Sequence, residues 1–292
     1  MRRPVSLAIG ALGTFSVGYV CGCGTKEAHA ASALPGPLPR TDVPTLSLQS
    51  GSRASQIMRF GYPGFDNLRT FEDYVLSYDA RHRTVHWVCE HITPDRLVYA
   101  PEVDRSKCAF TEDTSVHAYF RAYNKDYKGS GFDRGHMAPA GNHRRSQNAI
   151  QQTFLLSNMA PQVGKGFNRD KWNDLEKYVR SVARKSQNVY VCTGPLYLPK
   201  QESDGKMYVR YQVIGSQHVS VPTHFFKVLL IERAPTGELD LEAFVLPNTP
   251  INNETPLAHF HVPLESIERA AGLLIFDKLP VKQLRTVNGR RV

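Results

Sequence analysis

The chain has 292 residues, 41% of them hydrophobic, which is enough apolar content to bury a sizeable core and excludes a wholly disordered protein. Its formal charge is +9, which points to an acidic partner: nucleic acid, anionic lipid or an acidic protein. Of five cysteines, Cys21 and Cys23 fall in the N-terminal segment. The three left, Cys89, Cys108 and Cys192, exclude a disulfide scaffold. No Cys-x-x-Cys with a histidine partner is present, which argues against a structural zinc.

Residues 1–24 begin Met-Arg-Arg and continue into a weakly apolar, glycine-rich run with no acidic residue before Glu27. This is a targeting pattern: a secretory signal, a mitochondrial presequence with a sorting stretch, or a short anchor. Its Ser, Thr and Gly content argues against a permanent span, so no stable membrane insertion is expected of the mature protein. Residues 25–54, rich in Ala, Pro, Ser and Leu, read as a linker. A single folded domain is expected over 55–292. Removing residues 1–44 deletes Arg2, Arg3, Lys26 and Arg40 against Glu27 and Asp42, so the net charge falls only to +7. The basic character belongs to the domain.

Tyr74–Tyr78 and Thr84–Cys89 are β-rich runs across a five-residue loop, which predicts a hairpin. Residues 101–130 are irregular and mix Arg105, Lys107, Arg121, Lys125 and Lys128 with Tyr119, Phe120, Tyr123 and Tyr127. That mixture suits either a nucleic-acid surface or an ordinary solvated loop. Ser146–Thr153 is a short predicted helix and Phe154–Asn158 a predicted strand, ended by Met159–Gln162. A helix is expected from Gly166 to Lys185, with Trp172, Leu175, Val179 and Val182 on its buried face. Strands follow at Val189–Thr193, Met207–Ile214, Phe225–Ile231 and Leu241–Leu246. Pro263–Leu273 is a helix with Leu264, Ile267, Ala270 and Ala271 on its apolar face. The tail from Lys282 is expected to fray. The mix is α+β.

The densest chemistry lies in residues 131–145. Asp133, Arg134 and His136 place an acid, a cation and an imidazole together, and the basic cluster His143, Arg144 and Arg145 follows. A strand ending at His136, a return strand at 154–158 and a helix from about 169 can bring His136 opposite early-helix side chains. Asn168 and Glu176 are eight residues apart, about 80° of helical rotation, so both lean to one side. A neutral histidine suits the activation of water near neutral pH. Attack on a phosphodiester also needs a hard cation, which one or two protein oxygens and water can hold. Each residue also has a plainer reading: His136 as a structural histidine, Asn168 as a helix N-cap, Glu176 as a solvated helix position, and Asp133 with Arg134 as a surface ion pair.

Asp133-Arg-Gly-His136, followed by Asn168, Trp172 and Leu175-Glu176, resembles the signature of the DNA/RNA non-specific endonucleases, the ββα-metal nucleases. The similarity extends through Tyr127–His136, Leu156–Gln162, Asn188–Pro195 and Val221–Lys227, spans residues 60–280, and is strongest to animal mitochondrial members of that family. It implies a ββα-metal nuclease fold, with an antiparallel or mixed sheet and flanking helices. It further implies endonucleolytic cleavage of DNA and RNA with one Mg²⁺ or Mn²⁺, leaving 5′-phosphate and 3′-hydroxyl ends. His136 would be the general base, Asn168 the direct protein ligand of the ion, and Glu176 the holder of the ion's waters. Arg134 and Arg105 would meet phosphate, with His143 and Arg144 also on the nucleic acid. The resemblance implies a homodimer of the mitochondrial intermembrane space, released to the nucleus in cell death. Alternatives are a paralogue acting mainly as an exonuclease, a nucleic-acid-binding protein without catalysis, and a secreted nuclease. Cys108 reads either as an exposed, redox-sensitive thiol or as an inert one.

Overall fold

A computed structural model describes residues 51–233 and 237–292. The predicted presequence and most of the predicted linker lie outside the described residues. Among the described residues, no helix is long and apolar enough to cross a membrane.

The chain opens with helix α1 (Arg53–Ile57). Arg53 Nε donates to Asp73 Oδ1 at 2.8 Å and its Nη2 to His91 O at 2.6 Å. The domain boundary expected at residue 55 therefore falls inside a helix that is already tied to the body.

Strands β1 (Leu68–Thr70), β2 (Tyr74–Asp79) and β3 (Thr84–Ile92) form an antiparallel meander. The β2–β3 pair is the predicted hairpin. Helix α2 (Asn124–Tyr127) precedes β4 (Phe132–His136), and α3 (Gln147–Gln152) precedes β5 (Met159–Val163). Helix α4 (Trp172–Ala183) leads to β6 (Asn188–Leu196). The short strands β7 (Lys200–Gln201), β8 (Met207–Tyr208), β9 (Val213–Ile214) and β10 (Val219–Ser220) come next. The long strands β11 (His224–Glu232) and β12 (Leu239–Pro247) follow. Helix α5 (Leu264–Ala271), β13 (Leu284–Val287) and β14 (Arg290–Arg291) complete the chain.

The main sheet runs β1-β2-β3-β6-β11-β12-β13-β14. It is mixed, because β12–β13 is parallel and every other pair is antiparallel. Both faces are covered. Along β11, Phe225, Leu229 and Ile231 enter the core beneath α4, while Phe226, Val228 and Leu230 enter the core beneath α5. Period-two alternation with apolar residues on both faces is why the run reads as continuously hydrophobic. Lys227 shares the face of Phe225 and Leu229 and is carried into the interior below α4.

Helix α4 buries Trp172, Leu175, Val179 and Val182, the predicted face. Each such side chain contributes about 1.5–3 kcal/mol on burial. In α5, Ile267 is buried and Leu264 and Ala271 are half-buried, whereas Ala270 faces solvent. Gly272 closes that helix in the left-handed region, with its N–H on Glu268 O at 2.8 Å.

Four elements differ from expectation. Leu156–Asn158 is a 3₁₀ turn, and the return strand begins only at Met159. The cause is Asn158, fully buried, whose amide donates to Thr153 O and Ala138 O and accepts from Ala138 N. That clamp turns the backbone before β5 can start. The expected Met207–Ile214 strand is split into β8 and β9, which pair with β7 and β10 respectively. Met207, Val209 and Val213 stay exposed, so the alternation has no face to bury. The expected helix from Gly166 is regular only from Trp172. Gly164–Lys171 forms a wider π-type turn broken at Lys165 and Gly166. The tail does not fray. Asp240 accepts from Arg285 Nε and Nη2 and from Thr286 Oγ1 at 2.6–3.0 Å, which stitches β13 to β12. Burial alone would raise the Asp240 pKa, but these bonds and Arg233 pull it to about 2.

Candidate active site

β4 and β5 pair antiparallel, with Asp133 opposite Gln162, Gly135 opposite Ala160 and His136 opposite Met159. Gly135 is required by packing: a Cβ there would lie 2.0 Å from Gln162 Oε1. The π-type turn then reverses the chain into α4. Gly166, at φ +84°, makes the break that lets residues 167–171 enter the helix. A side chain at that position would also meet Pro250 Cα at 2.9 Å. Two strands and a helix thus enclose one side of a cleft of about 870 Å³. Arg105, Arg134, His136, Arg144, Asn168 and Glu176, all named from sequence, line it.

The His136 ring is half-buried, edge-on to Phe154 at 4.8 Å and tilted against Phe110 at 5.6 Å. Its Nε2 is buried without a hydrogen-bond partner among the described residues. Burial first, then the charges of Arg105 and His143, push its pKa down to about 3. The imidazole is therefore neutral at physiological pH and keeps an open lone pair.

Asn168 Nδ2 donates to Asp133 Oδ2 at 2.9 Å. A carboxylate only accepts, so this bond fixes the amide and leaves Oδ1 for the cleft. Arg169 grips the same carboxylate through Nε at 2.8 Å and Nη2 at 2.6 Å. The Arg169 bond, aided by Asn168, holds the Asp133 pKa below its usual value against partial burial. Asp133 acts as an orienting group.

Glu176 is held differently. Burial pushes its pKa up to about 7, against the pull of Lys227 and Arg180. Arg134 donates from Nη1 to Asn124 Oδ1 at 2.7 Å and stacks on Phe110 at 4.3 Å, which fixes its guanidinium. Arg105 rests 5.9 Å from the Phe154 ring, and Arg144 lies 5.8 Å from the Tyr99 ring.

Two members of the basic cluster fall elsewhere. His143 is buried beneath the cleft, with Nε2 2.9 Å from Glu90 Oε1, so it does not reach a nucleic-acid surface as expected. The carboxylate draws the ring inward because Glu90 is itself buried and needs donors. Arg145 turns outward to Asp95 at 3.4 Å. From the irregular stretch, Lys125, Lys128 and the largely buried Tyr127 line the cleft.

Sequence reasoning missed Arg180, also in the cleft wall. The signal was available, since Arg180 lies one helical turn after Glu176. It also missed Glu90 and Lys227, which share the sheet face beneath α4.

The residues fit one hard cation. Among the described residues there is no cluster of three or more His, Cys, Asp or Glu able to hold a metal. With Asp133 engaged by Asn168 and Arg169, what the cleft offers is one oriented amide oxygen and the carboxylate of Glu176, the sparse oxygen set that Mg²⁺ accepts while keeping most of its water. Cys89 and Cys192 are buried, and Cys108 is half-buried with its thiol pKa raised by desolvation, which reduces its thiolate fraction.

Residues 53–282 match the DNA/RNA non-specific endonuclease family. The chain belongs to that family. Among relatives of this nuclease, the mitochondrial endonuclease G of Caenorhabditis elegans is 58% identical over 240 residues, which is 82% of this chain and 78% of that one. The mitochondrial nuclease EXOG of Danio rerio is less similar, at 43% over 239 residues, covering 80% of this chain and 68% of that one. Among solved structures, an endonuclease G in complex with its inhibitor EndoGI superposes with a TM-score of 0.81. It is 56% identical, covering 83% of this chain and 99% of that one. The ββα-metal nuclease fold implied by the sequence is thus the fold of this nuclease.

Proposed function

We propose that this nuclease is a Mg²⁺- or Mn²⁺-dependent endonuclease that hydrolyses DNA and RNA to 5′-phosphate and 3′-hydroxyl ends. The observation that carries the reading is the orphaned, neutral Nε2 of His136 in a basic cleft shared with Asn168 and Glu176. In this mechanism His136 takes the proton of the attacking water, for which a neutral imidazole is suited. Arg134, already fixed by Asn124 and Phe110, meets a non-bridging phosphoryl oxygen through its planar fork. Arg105, Arg144 and Arg180 add positive charge along the cleft. Asn168 Oδ1 would hold the cation, and the Glu176 carboxylate would help to retain it in the cleft. When bound, such an ion supplies charge compensation at the phosphoryl and leaving oxygens.

Nicking of closed-circular plasmid in Mg²⁺, against a chelator, tests the reading. Wild type should nick circles, an outcome closed to an obligate exonuclease. His136→Ala should lower turnover by about 10²–10⁴-fold, the usual range for a general base, with DNA binding retained. Near-wild-type turnover in that variant overturns the base assignment, and nicking that survives the chelator overturns the ion.

We infer likewise a homodimer of the mitochondrial intermembrane space that reaches the nucleus in cell death and degrades DNA there. Support comes from the mitochondrial names of the relatives and from an exposed aromatic cluster of His117, Tyr119 and Phe120. Sedimentation of the purified chain and imaging of a tagged full-length chain before and after a death stimulus test these two points.

A further inference from the structure

Arg180 is held from outside the sequence signature. Its guanidinium lies against Gly141: a Cβ there would come 2.9 Å from Nη1 and 3.2 Å from Cζ. Gly141 is not among the residues with positive φ. What glycine provides there is room: an added Cβ would displace the Arg180 guanidinium rather than clash with backbone.

Arg180 Nη1 donates to Asn142 Oδ1 at 3.2 Å. Asn142 is buried, and its Nδ2 donates to Glu90 Oε1 at 2.9 Å. Because a carboxylate only accepts, Nδ2 must face Glu90, and Oδ1 is then turned to Arg180. Glu90 is 1% exposed, and the same Oε1 lies 2.9 Å from His143 Nε2. Glu90 stands on β3, on the sheet face that packs beneath α4 beside Val88 and Ile92. The chain of contacts thus runs from the sheet, through Asn142, to a cation in the cleft wall.

We propose that Glu90, Asn142 and Gly141 are positioning residues that fix the Arg180 guanidinium for charge compensation at the reacting phosphate. The proposal rests on the phosphodiesterase reading above. One N–H of Arg180 is committed to Asn142, and among the described residues the others have no hydrogen-bond partner, which leaves them for an anion in the cleft. A guanidinium fixed before substrate arrives need not reorganise as charge develops, which is where preorganised donors gain their effect.

Gly141→Ala is the incisive variant. The atoms it meets are the far end of a flexible side chain, so the fold should survive while Arg180 shifts. A displacement of about 1 Å at a reacting group can lower turnover about a hundredfold. Gly141→Ala should lower kcat about 10- to 100-fold in Mg²⁺, with KM for DNA changed less than about threefold and Tm nearly unchanged; Asn142→Ala should lower kcat likewise but also lower Tm, because it strips a donor from buried Glu90. Glu90→Gln also disturbs buried His143 and should lower Tm, so Gly141→Ala carries the test.

A double-mutant cycle separates positioning from general weakening. Gly141→Ala should slow an Arg180→Lys enzyme by no more than about twofold, because both changes act through one group. Wild-type kcat in Gly141→Ala, or losses that multiply in the double variant, would overturn the proposal. A wild-type enzyme that fails to cleave in Mg²⁺ instead removes the phosphodiesterase reading and leaves the cradle geometry as it stands.

Discussion

Asp133→Asn tests how far one hydrogen bond governs the ion. The wild-type carboxylate accepts from Asn168 Nδ2 at 2.9 Å and from Arg169 at 2.8 and 2.6 Å. The Arg169 side chain is 68% exposed, so solvent screens that pair and it contributes little. The Asn168 bond is partly buried and ends on a charge, a kind that contributes about 1.5–3 kcal/mol. That is a bias of about tenfold or more for the orientation presenting Oδ1 to the cleft. An asparagine at 133 both donates and accepts, so it removes the bias and lets the Asn168 amide turn over. Loss of such an outer partner lowers metal affinity about 10- to 100-fold. The assay is a Mg²⁺ titration of plasmid nicking at saturating DNA. The half-saturating Mg²⁺ should rise by that factor, and high Mg²⁺ should restore most of the rate. Arg169→Ala, which removes only the exposed pair, should leave the titration in place. A superimposable Asp133→Asn curve would refute the argument, as would an equal shift in Arg169→Ala.

Glu176, with its pKa raised to about 7 by burial, should impose an acid limb on the rate at limiting Mg²⁺, because the carboxylate form is the acceptor. The rate should climb through pH 7 and level off, the limb should move to lower pH as Mg²⁺ is raised, and Glu176→Gln should be slower and flat. A limb that persists in Glu176→Gln belongs to another group. On stability the sign is opposite: a raised carboxyl pKa favours the folded state below its unfolded value, and that contribution is lost as pH rises through 7. Gly166→Ala should destabilise by about 1–3 kcal/mol from the left-handed backbone alone, and more from the contact with Pro250. It should also impair Mg²⁺-dependent cleavage, since Asn168 is two residues on. Chemical denaturation and the same titration measure both, and an unperturbed variant would mean the break at 166 does not set Asn168.

Much of the site was legible in the chain. Asp133, Arg134, His136, Asn168 and Glu176 all reach one cleft because local spacing governs it: a strand end, a turn and a helix face are short-range objects. Arg180 obeys the same helical rule and was available to it. The misplaced pieces share a different cause. His143 looked like part of a basic surface, yet it faces inward because Glu90, some fifty residues earlier, needs donors. Phe154–Asn158 has strand composition, but the Asn158 clamp on Ala138 overrides it. The Lys282 tail is polar, but Asp240 on a neighbouring strand orders it.

What the sequence by itself determined is the chemical inventory and its order: the α+β pattern, the buried face of α4, the acid–cation–imidazole run and the amide and carboxylate that follow it. These depend on periodicity and on side-chain chemistry, which are properties of neighbours in the chain. Only the tertiary structure decided which charges face the cleft and which lie beneath it, which end of the Asn168 amide is presented, and why residue 141 is a glycine. Each of these turns on a partner brought close by the sheet from far along the chain, and the strength and direction of a hydrogen bond exist only once that partner is in place.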